Sequence, residues 1–247
     1  MSTPRHRFEF AAVTTRGLQR RRNEDALGAG GVLLVDEVTE PLYGAIDAED
    51  AAVFVLADGV SGHAHGALAS REAVAELMAD ASSLAEPQTC MDAVRRANLR
   101  LHETMMRQPE TIGMATTVAG LSLHDRVACW FNVGDSRVYR MRPEGLEQIS
   151  VDDRQARSHG ILQSLGGQLA ILPIRPHIGC ATIKPGEILL LCTDGLTDML
   201  PDMRIAAIIA EERQVTDAVA ALLQAALDAG GTDNVSIALV KSAPGML

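Results

Sequence analysis

Apolar residues recur along this chain with two spacings. Short, β-branched or near-continuous apolar runs bounded by Gly, Asp and Asn occupy 53–57 (VFVLA), 127–133 (VACWFNV), 188–192 (ILLLC) and 235–240 (VSIALV), and each has strand length. Further strands are predicted at 8–14, 32–35, 116–123, 137–141 and 146–149. The other spacing is helical. Over 67–81 it puts Val74, Leu77, Met78 and Ala81 on one face, and Met91, Val94, Ala97, Leu101 and Met105 share a face in the next helix. That second helix is expected to open at Thr89, with Asp92 three residues on approximating a capping box. A shorter helix is predicted over 203–210. Val215, Ala218, Val219, Leu222, Leu223, Ala226 and Leu227 then form a stripe that ends at Gly230 and Gly231. These stripes read as core faces.

Several strands, a pair of helices, a run of strands and a last helical block before the final strand imply α+β layering, not a doubly wound parallel sheet. The expected architecture is two stacked, mainly antiparallel sheets flanked by helices on both outer faces, with about nine strands and four helices. At 247 residues the chain can bury one large core, and no Pro/Ser/Gly-rich linker or repeat divides it. A single domain over 1–247 is expected.

Four aspartates stand where the strand-like runs begin or end: Asp58, Asp135, Asp194 and Asp233. Each alone reads as a turn residue, since Asp58-Gly59 and Asp194-Gly195 are ordinary turn dipeptides. In antiparallel pairing, however, an aspartate after one strand and another before its neighbour share one rim of the sheet. Gathered carboxylates repel one another unless cations screen them, and hard oxygen ligands select Mg2+, Mn2+ or Ca2+ over softer metals.

A net charge of −10 and a pI near 5.1 argue against a nucleic-acid partner, which would need a basic face. The run Arg20-Arg21-Arg22 reads as a solvated surface. The start MSTPRHRFEFAAVTTRG has no apolar stretch of signal-peptide type, and nowhere do eighteen apolar residues run together, so no membrane partner and a cytoplasmic location are expected. Cys90, Cys129, Cys180 and Cys192 are scattered without a CxxC pair. Neither zinc nor a disulfide is expected, only reduced buried thiols.

Six segments occur in order: GLQRRRNEDA (17–26), ADGVSGH (57–63), MATT (114–117), VGDSR (133–137), LCTDGLTD (191–198) and GTDNV (231–235). Together they resemble the ordered signature of the PPM family, the type 2C-like metal-dependent protein serine/threonine phosphatases, in their bacterial form. The resemblance covers about residues 8–241. It implies an αββα sandwich that hydrolyses phosphoserine and phosphothreonine with water activated at two Mg2+ or Mn2+ ions. By the same resemblance Asp58 bridges the metals, Gly59 offers its backbone carbonyl, and Asp194 and Asp233 complete one metal site. Glu24 and Asp25 lie near the other, and Asp135 joins Asp194 at a third, weaker site. Arg20 matches the arginine that holds substrate phosphate, for which a planar guanidinium fork is suited. His63 matches a candidate general acid, with His65 as its competitor. His6, His102, His124, His159 and His177 have no partner pattern and read as surface or structural.

Ser61 and Ala115 replace glycines usual in the family. The stretch between Asp135 and Asp194 resembles a shortened form of the family's flap at about 151–180, in which 161–167 stands for the family's TRALG segment. Residues 36–50 (DEVTEPLYGAIDAED) read as an acidic surface loop. The implied partners are phosphorylated proteins, the substrates of a Ser/Thr kinase, and oligomeric state is left open. Two rivals share these ligands: a pseudophosphatase that binds phosphoproteins without turnover, and a hydrolase of small phosphoesters.

Overall fold

The computed structural model describes residues 6–47, 49–60, 65–79, 81–155 and 160–244. Strands β1 (His6–Thr15), β2 (Ala26–Ala29), β3 (Val32–Leu34), β4 (Val38–Asp47) and β5 (Ala52–Ala57) precede helices α1 (Gly66–Ala79) and α2 (Pro87–Arg107). Next come β6 (Ala115–Thr116), β7 (Val118–His124), β8 (Val127–Val133), β9 (Arg137–Arg142), β10 (Gly145–Gln148), β11 (Leu165–Gly166), β12 (His177–Thr182) and β13 (Ile188–Cys192). The chain closes with α3 (Asp194–Thr197), α4 (Asp202–Glu211), α5 (Val215–Asp228) and β14 (Val235–Pro244).

Two six-stranded antiparallel sheets form, in the orders β10-β9-β13-β14-β1-β4 and β12-β8-β7-β5-β2-β3, with β11 and β6 as a separate small pair. Alternation along each central strand explains the layering. On β5, Phe54 and Leu56, with Leu121 of the adjoining β7, face the other sheet, where they meet Phe8, Phe10, Leu189, Leu191 and Val240. Val53 and Val55 face α1 and α2, packing with Val74, Leu77, Val94 and Leu101. Leu190 and Ile237 turn the other way, against Ile205, Ile208, Val219 and Leu222 of α4 and α5. Both faces of the central strands are therefore covered, which is why they read as continuous apolar runs. The observed αββα sandwich matches the expected one.

Several local expectations are corrected. The 36–50 stretch is no loop: β4 pairs along β1, with Phe8 opposite Ile46 and Ala11 opposite Tyr43. It is an edge strand, where acidic residues and Pro41 are tolerated because one side makes no ladder. Helix α2 starts at Pro87, so the capping residue is Glu86, whose N–H is accepted by Thr89 Oγ1 at 3.2 Å. The thiols are not all free either. Cys129 on β8 lies directly opposite Cys180 on β12, and the two form a disulfide, leaving Cys90 and Cys192 free and buried. Residues 177–182 lack a clear strand pattern, so the pairing that brings these cysteines together was not visible. Among the described residues no helix is long and apolar enough to cross a membrane.

Candidate active site

The Arg16–Asp25 loop, the end of β5, the β8–β9 turn, the β13–α3 junction and the start of β14 meet at one rim of the sandwich. A single amide joins the first of these to the last. Asn234 accepts the Glu24 N–H at 2.8 Å and donates to the carbonyls of Arg22 and Arg16 at 2.9 and 3.2 Å. Asp58 is held by its backbone. Its carbonyl accepts from Thr117 N–H and Thr116 Oγ1, and its N–H donates to Thr117 Oγ1. Gly59 leans on the same loop, donating its N–H to the Glu24 carbonyl at 3.2 Å. An added Cβ at Gly59 would stand 2.5 Å from the Gly66 carbonyl carbon and 2.8 Å from the Glu24 oxygen, so only glycine permits this approach.

Asp25 lies buried beneath the rim, one carboxylate oxygen accepting from Ser236 Oγ at 2.7 Å and Thr193 Oγ1 at 3.1 Å. Its other oxygen, and Oδ1 of Asp194, are buried with no hydrogen-bond partner. Burial pushes the Asp25 carboxyl up to about 7, with the Asp194 and Asp233 charges adding to it against the two hydroxyl donors. Asp194 is raised to about 6 by burial and by Asp135, Asp198 and Asp233. Asp58 is raised well above the usual carboxylate range, by burial first and then by Asp25, Asp194, Asp233 and Asp135. Asp135 is raised by burial, opposed by Arg154. Crowded acids whose protons are held more tightly by burial and mutual repulsion, two of them with an orphaned oxygen, fit the donor set of a hard divalent cation.

Cationic side chains stand among these acids. Arg20 reaches Asp233 at 2.6 Å, and Arg154 reaches Asp135, Asp194 and Asp198 at 3.0, 3.1 and 3.2 Å. Among the described residues, no three His, Cys, Asp or Glu side chains are grouped closely enough to hold a metal ion by themselves. Of the residues singled out in the sequence, Arg20, Glu24, Asp25, Asp58, Gly59, Asp135, Asp194 and Asp233 come to this rim. His63 lies outside the described residues, and His65 is exposed at a φ of 65°. Missed by sequence reasoning were Asn234, Thr193 and Ser236, which carry no charge, and Arg154 and Asp198. Thr193, Asn234 and Asp198 lay inside quoted motifs, a signal that could have found them.

Fold and rim together define a two-sheet sandwich protein with an acidic centre suited to divalent cations. The family model for Protein phosphatase 2C matches residues 42–236, and the chain belongs to that family. Protein phosphatase PhpP of Streptococcus pneumoniae is 31% identical over 134 residues, 47% of this chain and 53% of the relative. Serine/threonine protein phosphatase PstP of Mycobacterium tuberculosis is 30% identical over 124 residues, 43% of this chain and 23% of the relative. The chain thus spans about half the length of the streptococcal relative and less of the mycobacterial one. The crystal structure of the PstP catalytic domain in complex with 2 manganese ions superposes with a TM-score of 0.80 at 27% identity, covering 96% of this chain and 99% of that one. The crystal structure of the Mycobacterium tuberculosis serine/threonine phosphatase PstP/Ppp gives a TM-score of 0.79 at 26% identity, covering 95% of this chain and 98% of that one.

Proposed function

We propose that this chain is a protein serine/threonine phosphatase that hydrolyses phosphoserine and phosphothreonine with the help of two Mn2+ or Mg2+ ions. The observation that carries this reading is the gathering of Asp25, Asp58, Asp194 and Asp233 at one rim, with orphaned carboxylate oxygens and a guanidinium beside them. Asp58, the Gly59 carbonyl, Asp194 and Asp233 would hold the ions, with Glu24 and Asp25 behind. When bound, such ions supply an activated water and neutralise charge on the phosphoryl oxygens.

The chain's own groups do the rest. Arg20 lies on the Asp233 side of the rim, and its side chain is 41% exposed. Its fork can turn from Asp233 to two phosphoryl oxygens and align the ester. A histidine of the 57–63 motif, His63, would give a proton to the departing serine or threonine oxygen. Asn234 and the Thr116–Thr117 pair keep the Glu24 loop and Asp58 in register, so that the acids are already placed when substrate arrives. The partners are phosphorylated proteins, the location is cytoplasmic, and residues 1–247 form one catalytic unit with a shortened flap at about 151–180. Retention of every one of these acids together with Arg20 weighs against a regulator without turnover.

The test is Mn2+-dependent release of phosphate from a phosphothreonine peptide, with EDTA and Asp58→Asn as controls. Activity abolished by both supports the reading. Manganese binding without release, or release indifferent to EDTA, would refute it.

A further inference from the structure

Arg154 comes from a polar stretch with no apolar period, yet its side chain is only 19% exposed. The residues before it are pinned. Asp152 accepts from Arg137 Nε and Nη2, the latter at 2.7 Å, and from Gln148 Nε2 at 2.7 Å. Asp153 accepts from the Gly134 N–H and Gln163 Nε2, both at 3.0 Å, and pairs with His177 Nε2 at 2.9 Å. With its neighbours fixed, Arg154 projects into a bay of three carboxylates. Nη2 donates to Asp194 Oδ2 at 3.1 Å and Nη1 to Asp198 Oδ1 at 3.2 Å, while Nε lies 3.0 Å from Asp135 Oδ2 without the alignment of a hydrogen bond.

The two oxygens of Asp194 therefore have different surroundings. Oδ2 faces the guanidinium, whereas Oδ1 is buried and unpaired. Asp25 repeats the pattern, with one oxygen bonded to hydroxyls and the other orphaned. The rim is thus divided. On one side, Asp25 Oδ1 and Asp194 Oδ1 are buried without a protein donor, while on the other Asp135, Asp194 Oδ2 and Asp198 face the Arg154 guanidinium. A guanidinium can serve there because its charge is permanent and its donors are spread over a plane wide enough to reach several carboxylates.

We propose that Arg154 is a positioning residue: a tethered cation that fills the Asp135–Asp194–Asp198 bay, excludes a further divalent ion from it, and ties the segment beginning at Asp153 to the rim. This rests on the reading that the other side of the rim takes Mn2+ or Mg2+. A divalent ion could enter the bay only by evicting Arg154, which would remove that residue's ties to Asp194 and Asp198 and leave the segment held to the rim through Asp153 and Gly134.

The experiment is equilibrium dialysis of the full chain against Mn2+, with metal counted per chain, for wild type, Arg154→Ala, Arg154→Gln and Arg154→Lys. The glutamine variant keeps most of the stem without the charge, so failure of the alanine variant to fold would not remove the test. Neutral variants are expected to bind one more Mn2+ per chain than wild type, more weakly than the others, and the lysine variant to match wild type. Amide exchange in 160–177 of the metal-free protein is expected to quicken in the neutral variants. An equal count in wild type and the neutral variants would overturn the proposal. A wild type that binds no manganese would instead sink the phosphatase reading, and the exchange measurement, which needs no metal, would still decide for or against the tether.

Discussion

Without metal, the acidic rim should make the protein less stable as pH rises, and manganese should reverse that loss. A carboxyl whose folded pKa is raised binds its proton more tightly in the fold than in the unfolded chain. Its contribution is intact below the unfolded value, declines as pH rises, and is lost in full above the folded value. Asp25, at about 7 against an ordinary 3.8, sets the window at roughly pH 4 to 7. That difference is worth on the order of 4 kcal/mol for this one group. Asp194, raised to about 6, and Asp58 titrate in the same direction, but the acids share one field and their losses do not simply add. For a chain of this size about 4 kcal/mol corresponds to roughly 10 °C in Tm. The assay is thermal unfolding from pH 4 to 8, in EDTA and in excess Mn2+. The Mn2+-induced rise in Tm should be near zero at pH 4, where the acids are protonated and bind metal poorly, and approach about 10 °C at pH 8. Asp58→Asn should be more stable than wild type in EDTA at pH 8, having lost one repelling charge, while responding less to Mn2+. A manganese effect independent of pH, or an Asp58→Asn protein destabilised in EDTA, would refute the reasoning.

Arg20→Ala should raise KM for phosphopeptide about 10- to 100-fold, the worth of a charge-assisted hydrogen bond, with Mn2+ binding retained. Loss of manganese instead would put Arg20 in the wrong role. Asn234→Ala removes the acceptor for the Glu24 N–H and the donor to two loop carbonyls, and should lower stability by about 3 kcal/mol. Urea unfolding with an unchanged slope and a lowered midpoint would show it, and a midpoint equal to wild type would exclude the clamp. The Cys129–Cys180 disulfide closes a loop of 51 residues, so its reduction should cost about 4 kcal/mol. Thiol titration of the unreduced, denatured protein should find Cys90 and Cys192 only, and four titratable thiols would refute the bond.

What could be read from the sequence and what could not follow from the range of the interactions involved. The strands at 53–57, 188–192 and 235–240 were legible because burial on both faces leaves a continuous apolar run, and their terminal aspartates because a bare acid beside such a run stands out. β12 was not, since Gly179 and Thr182 break its pattern and its partner β8 is about 50 positions away, so the cysteine pair it carries was hidden too. β4 read as a loop because an edge strand needs only part of one face apolar: Val38, Leu42 and Ile46 pack inward among acids and Pro41. Arg154 was the hardest to foresee. Local composition marks it as one more solvated arginine, and its neighbours Asp152 and Asp153 look like its natural partners. Those two acids are instead taken by Arg137, Gln148, Gln163, His177 and the Gly134 N–H, and the guanidinium is left to acids up to 44 positions away. A charge is placed by whatever competes for its neighbours, and that competition is settled only when β8, β9 and β13 have set the rim.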